Sequence, residues 1–178
     1  MTNSNINFID VKSNLSWDEY FILQAMITSF KSKDPSTKVG CVIVNQKNRQ
    51  VGMGYNGMVS GIDESKIPWG KDKSVPLEYQ KYGYVVHSES NAILHATKNI
   101  EGCKMYVTLF PCNECAKLIA SKGIKEIIYL SDKHSDKDST RMSKKLFDLA
   151  GIKYRQLVPE KNLLNHLNDY LFSLMKEV

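Results

Sequence analysis

"KMYVTLFPCNECAKLIASKGIKEIIYLS", residues 104–131, reads as a strand, a helix and a second strand in direct succession. Gly123 stands just past the helical pattern and just before the next apolar run, where a helix C-cap belongs. The alternation continues on both sides. Downstream, "KDSTRMSKKLFDLAG" (137–151) reads as helix and "KYRQLV" (153–158) as strand, with Gly151 as a second cap; "NLLNHLNDYLFSLMKE" (162–177) predicts a closing helix. Upstream, "SESNAILHATK" (88–98) reads as helix. "GCVIVN" (40–45) and "QVGMGYN" (50–56) read as two short strands joined by the hairpin connection "QKNR". The first element, "LSWDEYFILQAMITSFKSK" (15–33), carries a capping box in Ser16 and Glu19. Its apolar positions Tyr20, Leu23, Met26, Ile27 and Phe30 fall at helical spacing.

Strands alternating with helices predict an α/β layered domain with one mixed sheet of about five strands and helices on both faces. The two opening strands are expected to be antiparallel, and the later ones, each joined by a helix, parallel. The 178 residues fit a single domain, with residues 1–13 as an N-terminal extension and 57–83 as a long insertion loop. Hydrophobic content of 42% with 24% charge is that of a chain that buries a core. No apolar run approaches the roughly 20 residues that span a bilayer, and the N-terminus lacks the pattern of a signal peptide, so the expected location is the cytoplasm. The net charge of +5 is scattered along the chain; it suits an anionic small molecule, is compatible with nucleic acid, and decides nothing.

Four cysteines in a reducing compartment point to metal or redox chemistry before disulfides. Cys41 and Cys103 lie in or beside strand-like runs and read as core residues. Cys112 and Cys115 do not. In "FPCNEC" a proline stands at a strand-to-helix junction, where its missing amide costs nothing. Two cysteines three apart share one face of the first turn, and the helix dipole favours their thiolates, the form that zinc binds. A thioredoxin-type redox pair would be expected after the first strand of a different fold, and buried thiols with no task have no reason to stand at a helix start.

Two sulfurs leave a tetrahedral zinc site half filled, and four histidines can supply another ligand. His166 falls in the closing amphipathic helix, His134 in the polar loop "SDKHSDKD", and His95 two turns into a helix, where it reads as a packing or interface residue. His87 opens a helix directly after "YVV". It can meet Cys112 and Cys115 if the two helices lie side by side on the strand they share. Three protein ligands with one open position mark a catalytic zinc. Glu89 gives that opening a use, because zinc lowers the pKa of water toward ~7 and a nearby carboxylate can move its proton.

"HSE" followed by "PCNEC" resembles the H-x-E…P-C-x-x-C signature of zinc-dependent nucleobase deaminases. The likeness extends through "SKDPSTKVGCVIVN", "GYNGM", "MYVTLFPCNECAKLI" and "GIKEIIYLSDK" to the deoxycytidylate (dCMP) deaminase family, over most of the chain. That resemblance implies a three-layer α/β/α cytidine-deaminase-like fold. It implies zinc held by His87, Cys112 and Cys115, with Glu89 shuttling protons while water attacks C4 of dCMP, giving ammonia and dUMP for thymidylate synthesis. It assigns Asn56 to the sugar and base edge and the backbone amide of Ser88 to the pyrimidine carbonyl. For the phosphate, Ser32 is the first candidate, with Lys31 and Lys38 as supporting charges. The "GYNG" region (Gly54, Tyr55, Asn56, Gly57) is associated with an effector site at which dCTP activates and dTTP inhibits, with Mg2+; such regulation implies a homo-oligomer, commonly a hexamer. No nucleic-acid or membrane partner is implied.

The sequence departs from the family in two places. Relatives usually read H-A-E where this chain has Ser88; a backbone contact survives that change. A second, structural zinc built from Cys and His between "GYNG" and "HSE" has no ligands here, so one zinc per subunit is expected. A tRNA adenosine deaminase shares the zinc site but needs a basic surface for RNA. A riboflavin-pathway or guanine deaminase fits less well. A non-catalytic relative would have no use for Glu89.

Overall fold

The computed structural model describes residues 15–70 and 74–158, with scattered helical positions between 165 and 176. The N-terminal extension and most of the closing helix, His166 included, lie outside the described residues.

The elements run α1 (Trp17–Ser29), β1 (Gly40–Val44), β2 (Gln50–Tyr55), β3 (Gly57–Met58), β4 (Val85–Val86), α2 (Ser88–Leu94), β5 (Lys104–Leu109), α3 (Asn113–Ser121), β6 (Glu126–Ser131), α4 (Asp138–Leu149) and β7 (Lys153–Gln156). Five strands form one sheet in the order β2-β1-β5-β6-β7. β1 is antiparallel to both β2 and β5, while β5, β6 and β7 are mutually parallel. The mixed five-strand sheet with helices on both faces is therefore as expected. The segment after "GYNG" forms the small hairpin β3–β4 and three short 3-10 turns. Among the described residues, no helix is long and apolar enough to cross a membrane.

The sheet divides two cores. On one side Phe21, Ile22 and Ala25 of α1 pack on Val42, Val44, Tyr106 and Ile128. On the other, Ala92 of α2, Ile119 of α3 and Phe147 of α4 close over Ile43, Met105, Val107 and Ile127. Cys41 and Cys103 are buried in this second core, as their sequence context indicates. Ser16 and Glu19 form the expected capping box.

The packing face of α1 differs from the expected stripe. Tyr20, Ile27 and Phe30 are exposed, and the buried stripe is Phe21, Ile22 and Ala25. The helix is apolar on more than one side, so periodicity alone does not select the inner face. Backbone approach selects it: a Cβ at Gly40 would lie 1.9 Å from the Ala25 carbonyl oxygen, so β1 passes α1 at that point without a side chain between them.

α2 is held as closely to β2. A Cβ at Gly54 would stand 2.3 Å from the Ala92 nitrogen and 2.4 Å from the Ser88 oxygen. The helix also stops earlier than the sequence pattern, with His95 as its C-cap. The Thr97 amide and hydroxyl both donate to the Val51 carbonyl and draw the chain toward β2. The ends of β2, β5 and β6 and the start of antiparallel β1 share one edge of the sheet.

Candidate metal centre and cleft

At that edge, two helix starts bring the sequence-predicted ligands together. His87 is the N-cap of α2 (φ −69°, ψ 157°) and Cys112 the N-cap of α3 (φ −74°, ψ 169°). An N-cap side chain often turns back to the amides of the first turn; neither of these does. Instead His87 Nδ1 lies 3.4 Å from Cys112 Sγ and 3.5 Å from Cys115 Sγ. All three donor atoms fall within 4.8 Å of one another. Tetrahedral zinc, with bonds of about 2.3 Å to sulfur and about 2.0 Å to nitrogen, requires an N···S separation of roughly 3.5 Å. The donor set fits one such ion with a fourth position left over.

The three groups are already tuned to each other by the protein. The Cys115 thiol donates to Cys112 and, despite burial, with help from His87, holds the Cys112 thiol down to about 4. Cys115, as donor in a buried site, is pushed up. His87 is raised to about 9, chiefly by its hydrogen bond with Cys112 and against the effect of burial. The Ser90 hydroxyl stands 3.6 Å from Cys115 Sγ.

Glu89, 4% exposed, lies in the first turn of α2. Burial pushes its carboxyl up, and the neighbouring His87 opposes that shift. Ser88 is fully buried, and its hydroxyl donates to Glu89 Oε2 at 2.8 Å. The Ser88 side chain therefore engages the carboxylate.

His87, Glu89 and Cys112 line a cleft of about 350 Å³, within the usual size of small-ligand sites. Asn56, Asp34 and Lys81 line it too. Asn56 is fully engaged as a donor: its Nδ2 donates to the Thr37 carbonyl at 3.0 Å and to Asp34 Oδ2 at 3.4 Å. Its Oδ1 accepts from the Val39 amide at 2.7 Å and keeps one lone pair.

The remaining predicted residues divide. Ser32 is buried and donates its hydroxyl to the Asn56 carbonyl at 2.7 Å; it does not line the cleft, nor do the exposed Lys31 and Lys38. Of "GYNG", only Asn56 faces this cleft. Gly54, Tyr55 and Gly57 line a second one of about 510 Å³, with Asn91 and His95. Within this second cleft Asn91 Nδ2 donates to the Tyr55 carbonyl at 2.8 Å.

The sequence reading missed a further part of the first cleft's wall, made by His134, Lys137, Ser139 and Thr140 around the start of α4. Thr140 is 4% exposed. A signal for these residues existed: they follow the carboxyl end of parallel β6, where open α/β sheets place their ligands. Lys81 and Asp34 were missed as well, and nothing local marks them.

Residues 15–131 match the family model described as the cytidine and deoxycytidylate deaminase zinc-binding region. The chain is 46% identical to deoxycytidylate deaminase of Homo sapiens and 48% identical to that of Mus musculus, each over 147 residues covering 82% of both proteins. Its fold resembles the crystal structure of dCMP deaminase from the cyanophage S-TIM5 in complex with dCMP and dUMP, with a TM-score of 0.64 at 21% identity, over 84% of this chain and all of that one.

Proposed function

Because the chain belongs to the cytidine and deoxycytidylate deaminase family, we propose that it hydrolyses dCMP to dUMP and ammonia. The observation that carries this reading is Glu89: a buried carboxylate in the wall of the same cleft as a His–Cys–Cys donor set that fits zinc. His87, Cys112 and Cys115 would hold zinc, which when bound would supply Lewis-acid activation of the attacking water. Glu89 removes a proton from that water as its oxygen bonds to C4, and passes the proton to ring nitrogen N3. It then carries the second proton from the new hydroxyl to the exocyclic nitrogen; the C4–N bond breaks and ammonia leaves. A carboxyl raised by burial suits a group that must both take and give a proton near neutral pH.

The backbone amide of Ser88 donates to the pyrimidine carbonyl. Asn56, with both amide protons engaged in the protein, meets the substrate through the free lone pair of Oδ1, which accepts from a sugar hydroxyl or the exocyclic amine. The phosphate end is assigned to the start of α4, with Lys137 and the Thr140 hydroxyl, in place of Ser32, Lys31 and Lys38. One zinc per subunit, a cytoplasmic location and supply of dUMP for thymidylate synthesis complete the reading. Regulation by dCTP and dTTP with Mg2+ in a hexamer belongs to it too; the second cleft along Gly54, Tyr55 and Gly57 has the volume such an effector needs.

Ammonia release from dCMP, dCTP, cytidine and an anticodon stem-loop tests the substrate. Turnover of dCMP is expected, and its absence with and without dCTP would overturn the proposal. Glu89→Gln should keep its zinc and lose roughly 10²–10⁴-fold in kcat.

A further inference from the structure

Asp34 and Lys81 form an ion pair at 2.7 Å with each side chain only 6% exposed, and every other ion pair between described residues is more open to solvent. Burying two charges is a poor route to stability, since an apolar pair of equal volume serves as well or better. The pair is also a weak attractor for an anionic substrate, because the carboxylate cancels most of the ammonium's charge. What it does that apolar side chains could not is accept and donate hydrogen bonds in fixed directions. Asp34 Oδ1 accepts from the amides of Ser36 at 2.8 Å and Thr37 at 3.3 Å, and Oδ2 accepts from Lys81 Nζ and from Asn56 Nδ2. The Thr37 carbonyl takes the other Asn56 proton. Asp34 thus holds Asn56 directly and also shapes the loop that holds it.

We propose that Lys81 and Asp34 are a positioning pair, through which the segment preceding His87 fixes the direction in which Asn56 Oδ1 faces the cleft. Lys81 brings the segment between β3 and β4 onto the 30–39 loop, and Lys33–Glu64 at 2.9 Å joins the same two segments on the surface. Burial alone would raise the Asp34 carboxyl; the Lys81 ammonium and the two amides hold it down instead, as a stable anion requires. The consequence for catalysis rests on the proposed role of Asn56 toward dCMP, while the consequence for Asn56 itself does not.

The test uses Lys81→Met and the charge-neutral pair Asp34→Asn with Lys81→Met. Lys81→Met leaves a buried carboxylate without its cation and should lower Tm. The double variant removes both charges and should recover Tm. A merely structural role predicts that KM recovers with it. The positioning role predicts that KM for dCMP stays roughly tenfold raised, with kcat within about threefold of wild type, because the side-chain amide introduced by Asp34→Asn presents an NH2 where Asn56 needs an acceptor. Hydrogen exchange gives a readout free of substrate: the Val39 amide, which donates to Asn56 Oδ1, should exchange roughly tenfold faster in both variants while the β5 and β6 amides stay protected. Wild-type KM with unchanged Val39 protection in the double variant would overturn the inference. Faster Val39 exchange in a protein whose wild type never turns over dCMP would uphold the pair and defeat only the substrate reading.

Discussion

At the metal centre, three donor side chains come from two helix starts, and each sits in a short motif of three or four residues that by itself marks the chemistry. The wall that holds Asn56 is assembled from residues 32–39, Asn56 and Lys81, through hydrogen bonds that bridge 17 to 47 positions. The two parts of one cleft thus divide the work. The metal end fixes reactive atoms within each motif by spacing along a turn and bonds them to one ion, so its failure is chemical and complete. The other end fixes orientation by long-range hydrogen bonds, so its failure is graded and shows first in binding.

The largest effect that would expose this division is at the metal end. Cys115→Ala removes one of three donors, and activity should fall at least ~10³-fold together with bound zinc, measured by metal analysis on the same sample. An active, zinc-loaded Cys115→Ala protein would break the comparison. Next comes the pH dependence of metal loading. With His87 raised to about 9 and the Cys115 thiol pushed up, both carry protons near pH 7, while Cys112, lowered to about 4, does not. Zinc binds neutral imidazole and thiolate, so it must expel the His87 proton and any thiol proton, and the sign is fixed: affinity weakens as pH falls below about 9. Calorimetry in buffers of different ionisation enthalpy counts the protons released.

At the other end the expected effects are smaller. Lys137→Met with Thr140→Val should raise KM for dCMP roughly tenfold and leave kcat and zinc content nearly unchanged; a loss confined to kcat would place the phosphate elsewhere. Smallest of all, Ser88→Ala removes the 2.8 Å hydrogen bond to Glu89, and steady-state kinetics should find kcat down about threefold with KM unaltered. That modest cost accords with a side chain that assists a carboxylate already enclosed by the fold.

The difference between the two ends also explains what could be read in advance. Strand and helix order was legible because periodicity and glycine caps are local: Gly123 and Gly151 adopt φ of 72° and 64°, as their positions after helices required. His87, Glu89, Cys112 and Cys115 were legible because metal and proton chemistry constrains spacing within a turn. The inner face of α1 was not, because its apolar residues surround the helix and only the approach of β1 at Gly40 selects Phe21, Ile22 and Ala25. Nothing in the polar, lysine-rich loop told that the Ser32 hydroxyl donates to the Asn56 carbonyl, 24 positions away. His134 looked like a surface residue until the end of β6 brought it to the cleft.

By itself the sequence determined the α/β architecture and marked the donor set and the carboxylate, since within each of the two motifs a helix start imposes the placement of side chains two or three positions apart; the fold then brings the two motifs together. The tertiary structure alone decided which residues wall the rest of the cleft. It buried Lys81 against Asp34, turned Asn56 so that only Oδ1 can still accept, and split "GYNG" between two clefts. The physical reason is that a lysine, an aspartate or a glycine in a polar loop carries no local mark of its partner. Its role is set by the desolvation and hydrogen-bond balance that arises only once distant segments meet.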